Sequence, residues 1–320
     1  MTELHDRTFD CMGCEVRVLL EGPDAYAAGA DAACFLHDFD ARLSRFRPDS
    51  DLSRLNADPR ETVPVSPLLA AAVHAGLWAA ERSGGLVDPT LLGALEAAGY
   101  RTTRRDAEPA SLAAALAAAP ARRPATPHPA AGWRAWAVAR DTVRRPAGAR
   151  FDTGGTGKGL AADAVAHRVG RHARFAIDCA GDVRIGGDEA PWRPVEVDVR
   201  HPLTGEVAHR LQLGWGAVAT SGLDIRVWRT DAGHYAHHLL DPSTGMPAWT
   251  GVISATALAA TALEAETLAK MALLSGPAEG RRILRATGGV LVHDDGDVEL
   301  VGPVHERRRV QLSDTIRIAA

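Results

Sequence analysis

The stretch FDTGGTGKGLAADAV, residues 151–165, decides how the rest of this chain is organised. Asp152 ends a short apolar run, and a glycine-rich turn follows before an alanine-rich helix predicted over residues 158–171. Glycines let a turn adopt unusual backbone angles and let a ligand approach the main-chain N–H groups. A helix start offers unpaired N–H donors and the positive end of its dipole, and Lys158 adds a charge there. The stretch is typical of a phosphate-binding turn.

Two common phosphate-binding motifs do not match this stretch. A P-loop needs Ser or Thr after the lysine and Gly six residues before it, whereas Gly159 follows Lys158 and Asp152 stands at the earlier position. The glycines also lack the GxGxxG spacing of a dinucleotide-binding turn. On this stretch alone, a glycine-rich turn with a solvated lysine is an equal alternative.

Lysine is rare in this chain. Of 36 basic side chains only Lys158 and Lys270 are lysines, and the others are arginines. The composition favours arginine wherever a plain positive charge is enough. The two lysines therefore indicate sites where a compact ammonium fits and a planar guanidinium does not.

Length and charge exclude several classes of protein. A chain of 320 residues can form one large domain or two intimately joined ones, and we expect a single domain over residues 1–320. The net charge of −4 and the pI near 6.4 argue against nucleic acid as a partner, and we predict that Arg307 to Arg309 form a solvated edge. No segment is apolar enough to cross a membrane, and the start of the chain lacks a signal-peptide pattern, so a cytoplasmic location is expected.

The cysteine pattern does not predict a metal or redox site. Cys11 and Cys14 have CxxC spacing, but no second cysteine pair or histidine cluster completes a zinc site. The residues after Cys14 indicate a strand rather than the helix start that a thioredoxin-like site needs. We expect two thiols in or beside a strand.

Hydrophobic periodicity and turn residues predict a chain that mixes helices and strands. The main predictions are a strand over 8–22, helices over 25–43 and from Ser66 to Gly84, a variable insertion with one alanine-rich helix over 101–130, two strands around a turn over 133–152, a strand, tight turn and return over 174–187, and two or three strands between Trp192 and Ala219.

Further motifs follow the glycine turn in order: AIDCAGDVRIGG at 176–187, AVATSG at 217–222, HHLLDPSTGMP at 237–247 and ETLAKMALLSG, the end of an alanine-rich helix, at 266–276. Upstream lie Met12-Gly13, the SRF and DSDLSRLN segments within 44–56, and GGLVDPT at 84–90. Together these motifs resemble the ApbE-like family of FAD:protein FMN transferases, over roughly residues 10–300. Each motif is weak alone, but the ordered set is fairly specific.

The resemblance implies a fold and a reaction. The fold is α+β, with antiparallel sheets flanked by helices in an ApbE-like (T-fold-like) architecture. In the implied reaction FAD binds with Mg²⁺ on its pyrophosphate, and a Thr or Ser hydroxyl of a partner flavoprotein with an FMN-binding domain attacks the FMN-side phosphorus and releases AMP. Phosphoryl transfer depends mostly on positioning and charge stabilisation, which a glycine turn and a cation supply.

The resemblance also assigns site residues. His238 becomes the base or a substrate-side polar group, with Lys158 and Glu266 as the other catalytic residues. The implied flavin site comprises Met12, Asp88, Gly154, Gly155, Lys158, Gly159, Asp182, Thr220, Ser221, Gly222, His238, Asp241 and Lys270. For His238, a hairpin residue beside the turn that Asp241 begins is the alternative, because the Pro and Gly pattern explains that turn unaided.

One departure from the family pattern concerns the metal. The resemblance implies an Asp and, four residues later, a Thr as metal ligands, but this chain has Glu266 and Lys270 there. Glu266 is a reasonable ligand, whereas an ammonium has no acceptor and repels Mg²⁺. The two also suit an ordinary surface salt bridge. Our hypothesis is that Lys270 contacts the FAD pyrophosphate directly. A non-catalytic FAD-binding protein and an FAD pyrophosphate hydrolase stay open as alternative functions.

Overall fold

The computed structural model describes residues 3–104, 110–189 and 193–304, and the backbone of 316–319. The helices in these ranges are α1 (Ala25–Leu43), α2 (Asp51–Ala57), α3 (Pro67–Arg82), α4 (Leu92–Ala97), α5 (Leu112–Ala118), α6 (Gly157–Val169) and α7 (Ala262–Leu284), with a 3-10 turn at Gly132–Ala135. The strands are β1 (Leu4–Cys11), β2 (Cys14–Glu21), β3 (Thr62–Pro64), β4 (Ala137–Val138), β5 (Thr142–Arg144), β6 (Arg174–Cys179), β7 (Asp182–Gly186), β8 (Val195–Arg200), β9 (Val207–Leu213), β10 (Gly216–Gly222), β11 (Val227–Arg229), β12 (Tyr235–His237), β13 (Leu240–Asp241), β14 (Met246–Pro247), β15 (Val252–Ala259), β16 (Gly289–His293), β17 (Val298–Val301) and β18 (Ile316–Ala319).

An eight-stranded antiparallel sheet forms the centre of the fold. Its strand order is β1-β2-β6-β7-β10-β15-β16-β17. Helices α1 and α6 pack on its first strands, and α7 packs along β10, β15 and β16. The smaller sheet β18-β8-β9 contains the one parallel pair in the described part of the chain, between β18 and β8. The architecture is α+β, with antiparallel sheets flanked by helices, as predicted.

Both faces of the central sheet are buried. Val18, Ile177 and Ala219 pack with residues of α1, α3 and α6. Their chain neighbours Leu19, Ala176 and Val218 point to the opposite face and pack with β8 and β9. Since successive strand side chains alternate between faces, strands buried on both sides become nearly continuous apolar runs. This is why β10, GAVATSG, contains no charged residue.

The helix boundaries follow local capping chemistry. The Ser66 hydroxyl accepts a hydrogen bond from the Leu69 N–H at 3.2 Å, and Pro67 occupies the first turn of α3, as predicted. The predicted helix over 25–43 is α1. In the predicted insertion over 101–130, the alanine-rich helix is α5, and residues 105–109 lie outside the described residues. Arg307 to Arg309 also lie outside them.

One prediction of local structure needs correction, and one helix end is confirmed. The strand predicted over 8–22 is a hairpin, because Met12 and Gly13 have φ of 54° and 68° and turn the chain between β1 and β2. Two consecutive residues at positive φ are typical of a two-residue hairpin turn. The helix predicted to end at residue 276 does end there, because Gly276 has φ of 77° and ψ of 178°, outside the helical range; a second helical segment begins after this kink at Pro277 and completes α7 to Leu284.

Two further sequence expectations concern thiols and membrane spans. Cys11 and Cys14 are free thiols at the facing ends of β1 and β2, as expected. Within the described ranges, we find no helix of the length and apolarity that a bilayer crossing requires.

Candidate active site

The glycine turn is held by residues from distant parts of the chain. The Asn56 side chain in α2 donates to the Phe151 carbonyl and accepts from the Phe151 N–H, both at 2.8 Å. The Asp152 N–H donates to the Pro89 carbonyl at 2.8 Å, and the Gly157 N–H donates to the Thr153 carbonyl at 2.8 Å. These bonds fix the chain on both sides of the turn and set the direction in which α6 begins.

Arg45 adds a buried charge beside the turn. Its Nε lies 3.3 Å from Asp152 Oδ1, and its guanidinium stacks over the rings of Phe46 and Tyr100 at 4.1 and 4.6 Å from their centroids. Burial raises the pKa of Asp152, while the positive charge of Arg45 opposes that shift. The SRF segment therefore supports the glycine turn through charge and aromatic contact.

A cavity of about 820 Å³ opens over the turn. This volume suits a cofactor-sized ligand. Of the residues that the sequence assigned to a flavin site, those that line the cavity are Met12, Asp88, Gly154, Gly155, Lys158, Thr220, Ser221, Gly222, His238 and Lys270. They come from the β1–β2 turn, the segment before α4, the glycine turn and α6, β10, the loop after β12, and α7. The fold thus brings together residues that lie up to 258 positions apart in the chain (Met12 and Lys270).

Lys158 forms a buried ion pair in this cavity. Its Nζ lies 2.7 Å from Oδ2 of Asp182, whose side chain is 1% exposed. Burial alone would lower the pKa of Lys158, but the carboxylates of Asp182 and Glu266 outweigh burial and raise it. Lys158 is therefore a protonated, positively charged group at the start of α6. It is not the solvated lysine of the alternative interpretation.

Lys270 forms the second buried ion pair. Its Nζ lies 2.9 Å from Glu266 Oε1, and the two side chains are 11% and 2% exposed. The interpretation as a surface salt bridge is therefore wrong. Glu266 Oε2 accepts a hydrogen bond from the Gly159 N–H at 3.0 Å, which joins α7 to the first turn of α6. Burial raises the pKa of Glu266, and the positive charge of Lys270 opposes the shift.

The donor set at Glu266 does not fit a resident divalent cation. One carboxylate oxygen binds the Lys270 ammonium and the other binds the Gly159 N–H, so both are already engaged. In the part of the chain that the structure describes, no group of three or more His, Cys, Asp or Glu side chains could hold a metal ion. Mg²⁺ needs several oxygen ligands around it, and an ammonium provides only donors.

His238 is a neutral imidazole at the cavity wall. Burial lowers the pKa of His238 well below 6.5, and the positive charges of Arg226 and Lys270 lower it further. Its Nδ1 is buried and has no hydrogen-bond partner among the described residues. His238 lines the cavity, and a neutral imidazole there can accept a proton from a bound group.

Comparison with known proteins identifies the family. A family model described as "ApbE family" matches residues 12–292, which is most of the chain. This chain belongs to the ApbE family. A Treponema pallidum protein named FAD:protein FMN transferase is 29% identical over 93% of this chain and 86% of its own length. A Klebsiella pneumoniae protein of the same name is 28% identical, over 87% of this chain and 80% of its own length.

Solved ApbE structures share the fold. The ApbE protein of Thermotoga maritima superposes with a TM-score of 0.76 at 24% identity, over 93% of this chain and 97% of the other. The flavin transferase ApbE of Vibrio cholerae gives a TM-score of 0.71 at 22% identity, over 94% of this chain and 98% of the other. The α+β architecture is therefore that of the ApbE family.

Four of the residues assigned from the ApbE resemblance lie outside the cavity wall: Gly159, Asp182, Asp241 and Glu266. Asp182 and Glu266 each hold a lysine that does line it. The Asp241 carboxylate accepts from the Thr126 N–H at 3.1 Å and from the Ser243 hydroxyl at 2.8 Å, so it stabilises its own turn. Their roles toward a ligand stay predictions.

Several cavity residues of this ApbE chain were not assigned from sequence. They are polar or aromatic groups at the cavity wall: Arg45, Phe46, Tyr100, Arg104, Asp152 and Arg226. Arg45 lies within the SRF motif and Asp152 lies in the glycine turn, so the sequence pattern could have indicated both residues. No sequence pattern indicates Tyr100 or Arg226, because neither lies in a recognisable motif.

Proposed function

We propose that this chain transfers the FMN moiety of FAD to a Thr or Ser hydroxyl of a partner flavoprotein and releases AMP. One observation carries the proposal. Both lysines of the chain meet the glycine turn and a neutral histidine in one cavity of cofactor size. This provides fixed positive charge for a pyrophosphate and a proton acceptor for a hydroxyl, which are the two requirements of the reaction.

The reaction breaks the phosphoanhydride bond of FAD and forms a phosphoester bond to the acceptor. The acceptor hydroxyl oxygen forms a bond to the FMN-side phosphorus, and the bond from that phosphorus to the bridging oxygen breaks. The electron pair leaves with the phosphate of AMP, and the hydroxyl proton passes to a base. We assign that base to His238, because its ring lines the cavity and burial keeps it neutral, so it can accept a proton.

Lys158 and the glycine turn position the pyrophosphate. The ammonium is held by Asp182 at 2.7 Å, so its place is fixed before the ligand arrives. A preorganised charge needs no reorganisation when negative charge develops on the departing phosphate. Thr220, Ser221 and Gly222 at the end of β10 form a further wall for the flavin. Mg²⁺ belongs to the reaction that the resemblance implies, but the residues of this site do not fit it.

The test is AMP release together with covalent labelling of an acceptor. The full chain is incubated with FAD and a recombinant FMN-binding-domain flavoprotein, and the Vibrio cholerae flavin transferase serves as the positive control. We expect AMP by chromatography and a fluorescent acceptor with the mass of one added FMN. AMP without a labelled acceptor would instead make the chain an FAD hydrolase. Bound FAD without AMP would make it a binding protein.

The matched variants are His238→Gln and His234→Gln. His234 is exposed in the same hairpin region and does not line the cavity. Removal of a general base typically lowers the rate by about 10²- to 10⁴-fold, so His238→Gln should lose transfer by that factor. His234→Gln should retain it. Equal rates for the two variants would contradict the assignment of His238.

A further inference from the structure

Deepening this proposed function, on which the inference rests, we propose that the Lys270 ammonium binds the FAD pyrophosphate in place of a divalent cation, so that FMN transfer by this chain does not require a metal. The inference depends on four features of the site. They are the engaged carboxylate of Glu266, the position of Lys270, the charge balance of the buried cluster, and the distribution of lysine in the chain.

The first feature is that both oxygens of Glu266 already have partners, so a metal bound there would lie beside the Lys270 ammonium. Its two oxygens hold the Lys270 ammonium at 2.9 Å and the Gly159 N–H at 3.0 Å. The Gly159 bond is also a link between α6 and α7. A cation that took over this carboxylate would leave a buried N–H and a buried ammonium without acceptors, which is unfavourable.

The second feature is that Lys270 reaches the glycine turn itself. A Cβ placed on Gly155 would lie 3.8 Å from Lys270 Cε, so the lysine stem runs against the turn, and its side chain lines the cavity. Among the described residues, Glu266 is the one hydrogen-bond partner of the ammonium. An ammonium has three donors, so two are available for oxygens of a ligand in the cavity.

The third feature is the charge of the cluster. Two ammonium groups, Lys158 and Lys270, face two carboxylates, Asp182 and Glu266, which gives a formal sum of zero. A divalent cation at Glu266 would add two positive charges directly beside these ammonium groups, and like charges repel. The two ammonium groups line the cavity, whereas Asp182 and Glu266 lie outside its wall, so the positive ends of both pairs face a bound pyrophosphate.

The fourth feature is the distribution of lysine. The chain uses arginine for its other basic side chains, and its two lysines both line this one cavity. A guanidinium is planar and broad. An ammonium is a compact point charge, closer in size to a metal cation. A basic side chain chosen only for its charge would be arginine in this chain. The use of lysine at both places fits a spatial requirement at the pyrophosphate.

The chemical step is unchanged by this exchange of cations. The acceptor oxygen bonds to the FMN-side phosphorus, the bridging P–O bond breaks toward AMP, and the hydroxyl proton goes to His238. Lys270 keeps its protons and donates hydrogen bonds to pyrophosphate oxygens, where negative charge accumulates as the bridging bond breaks. No oxidant, reductant or further reactant is needed.

The first experiment uses the unmodified chain. The affinity for FAD is measured by equilibrium titration, and AMP formation is measured with the acceptor flavoprotein, each in Mg²⁺, in Mn²⁺ and in EDTA. We expect the same FAD affinity and the same AMP rate in all three. Transfer or tight FAD binding only with a metal would overturn the inference and leave the proposed transferase standing. No AMP in any condition would contradict the transferase, while the FAD titration in EDTA would still decide whether a metal is needed at the pyrophosphate.

The second experiment uses variants on α7. Lys270→Thr should weaken FAD binding in EDTA by about 10- to 100-fold, the usual loss for a hydrogen bond to a charged group. The pair Glu266→Asp with Lys270→Thr installs the residues that the family resemblance implies. We expect this double variant to bind Mn²⁺, which electron paramagnetic resonance would detect. Its affinity for FAD should then depend on the metal.

The control is Arg282→Met, which removes a cation from an exposed position on the same helix. It should leave FAD affinity unchanged in every condition. Circular dichroism and thermal unfolding verify that each variant is folded. If folded Lys270→Thr bound FAD in EDTA as well as the unmodified chain does, the ammonium would not contact the pyrophosphate, and the inference would be wrong.

Discussion

Helix α7 carries two ion pairs of similar spacing and very different surroundings. Glu266 and Lys270 are four residues apart, with side chains 2% and 11% exposed. Glu279 and Arg282 are three residues apart, with side chains 45% and 70% exposed. Both are ordinary helical pairs in the sequence. The difference teaches that the spacing along the helix determines which residues pair. The burial of the helix face determines how much the pair contributes to stability and to the chemistry of the site.

The strongest test of this comparison is the removal of each cation. Lys270→Met leaves the Glu266 carboxylate buried without its counter-charge, and breaking such a pair lowers the free energy of unfolding by about 3–5 kcal/mol. Arg282→Met should leave it unchanged, because water solvates Glu279. Urea unfolding without FAD measures both. Similar losses in the two variants would mean that burial does not separate the pairs.

A second test concerns the bond between Glu266 and Gly159. A Cβ on Gly159 would lie 2.6 Å from the Ala262 carbonyl oxygen, so the two helices approach too closely for any other residue. We expect Gly159→Ala to lower the free energy of unfolding by up to about 3 kcal/mol, as overpacking does. Gly157→Ala is the control, since a Cβ there meets nothing within 4 Å. A tolerated Gly159→Ala would show that α6 and α7 are not held together at this point.

The same contrast between buried and exposed groups predicts a pH effect. His237 is fully buried against Trp249, and burial lowers its pKa from 6.5 to about 3. Its folded pKa lies below its unfolded pKa, so the stability present above pH 6.5 is lost as the pH falls toward 3. The loss attributable to His237 at pH 5 is about 2 kcal/mol.

The measurement is urea unfolding at pH 7.5 and pH 5 for His237→Gln and for the exposed His234→Gln. Glutamine does not titrate, so His237→Gln should lose less stability between the two pH values than the unmodified chain does. His234→Gln should keep the dependence of the unmodified chain. An unaltered pH dependence in His237→Gln would show that another group is responsible.

The smallest expected effect is that of salt on the two pairs. Double-mutant cycles at Glu266–Lys270 and at Glu279–Arg282 give the coupling free energy of each pair, measured in low and in high salt. Salt screens charges that face water and leaves buried pairs nearly unaffected. The coupling at the exposed pair should disappear in high salt, and that at the buried pair should persist. Equal sensitivity would place both pairs in the same environment.

Much of the fold could be predicted from local sequence. The amphipathic pattern of α1 and the Ser66-Pro67 start of α3 gave correct helix starts, because capping and periodicity are local properties. The hairpin at Met12 was missed because Met rarely has a positive φ, and alternation continues through the turn. The end of the first part of α7 at Gly276 was predicted correctly, because Gly-Pro usually ends a helix.

The candidate site could be predicted only in part. The glycine turn, Lys158 and Lys270 stood out from motif order and from the scarcity of lysine. Tyr100 and Arg226 could not be identified, because their place at the cavity depends on chain segments that are remote in sequence. Asp241 was assigned with the turn that it starts, and the structure shows what that carboxylate binds: the Thr126 N–H and the Ser243 side chain.

By itself the sequence determined the local elements, the motif order that indicates the ApbE family, and the charges available for chemistry. The tertiary structure decided which of those charges meet. It pairs Lys158 with Asp182 and Lys270 with Glu266. It also brings α6 and α7 into contact at Gly159, where there is no room for a side chain. The physical reason is that burial and long-range packing fix the strength of an electrostatic interaction, and neither is encoded in the spacing of residues along the chain.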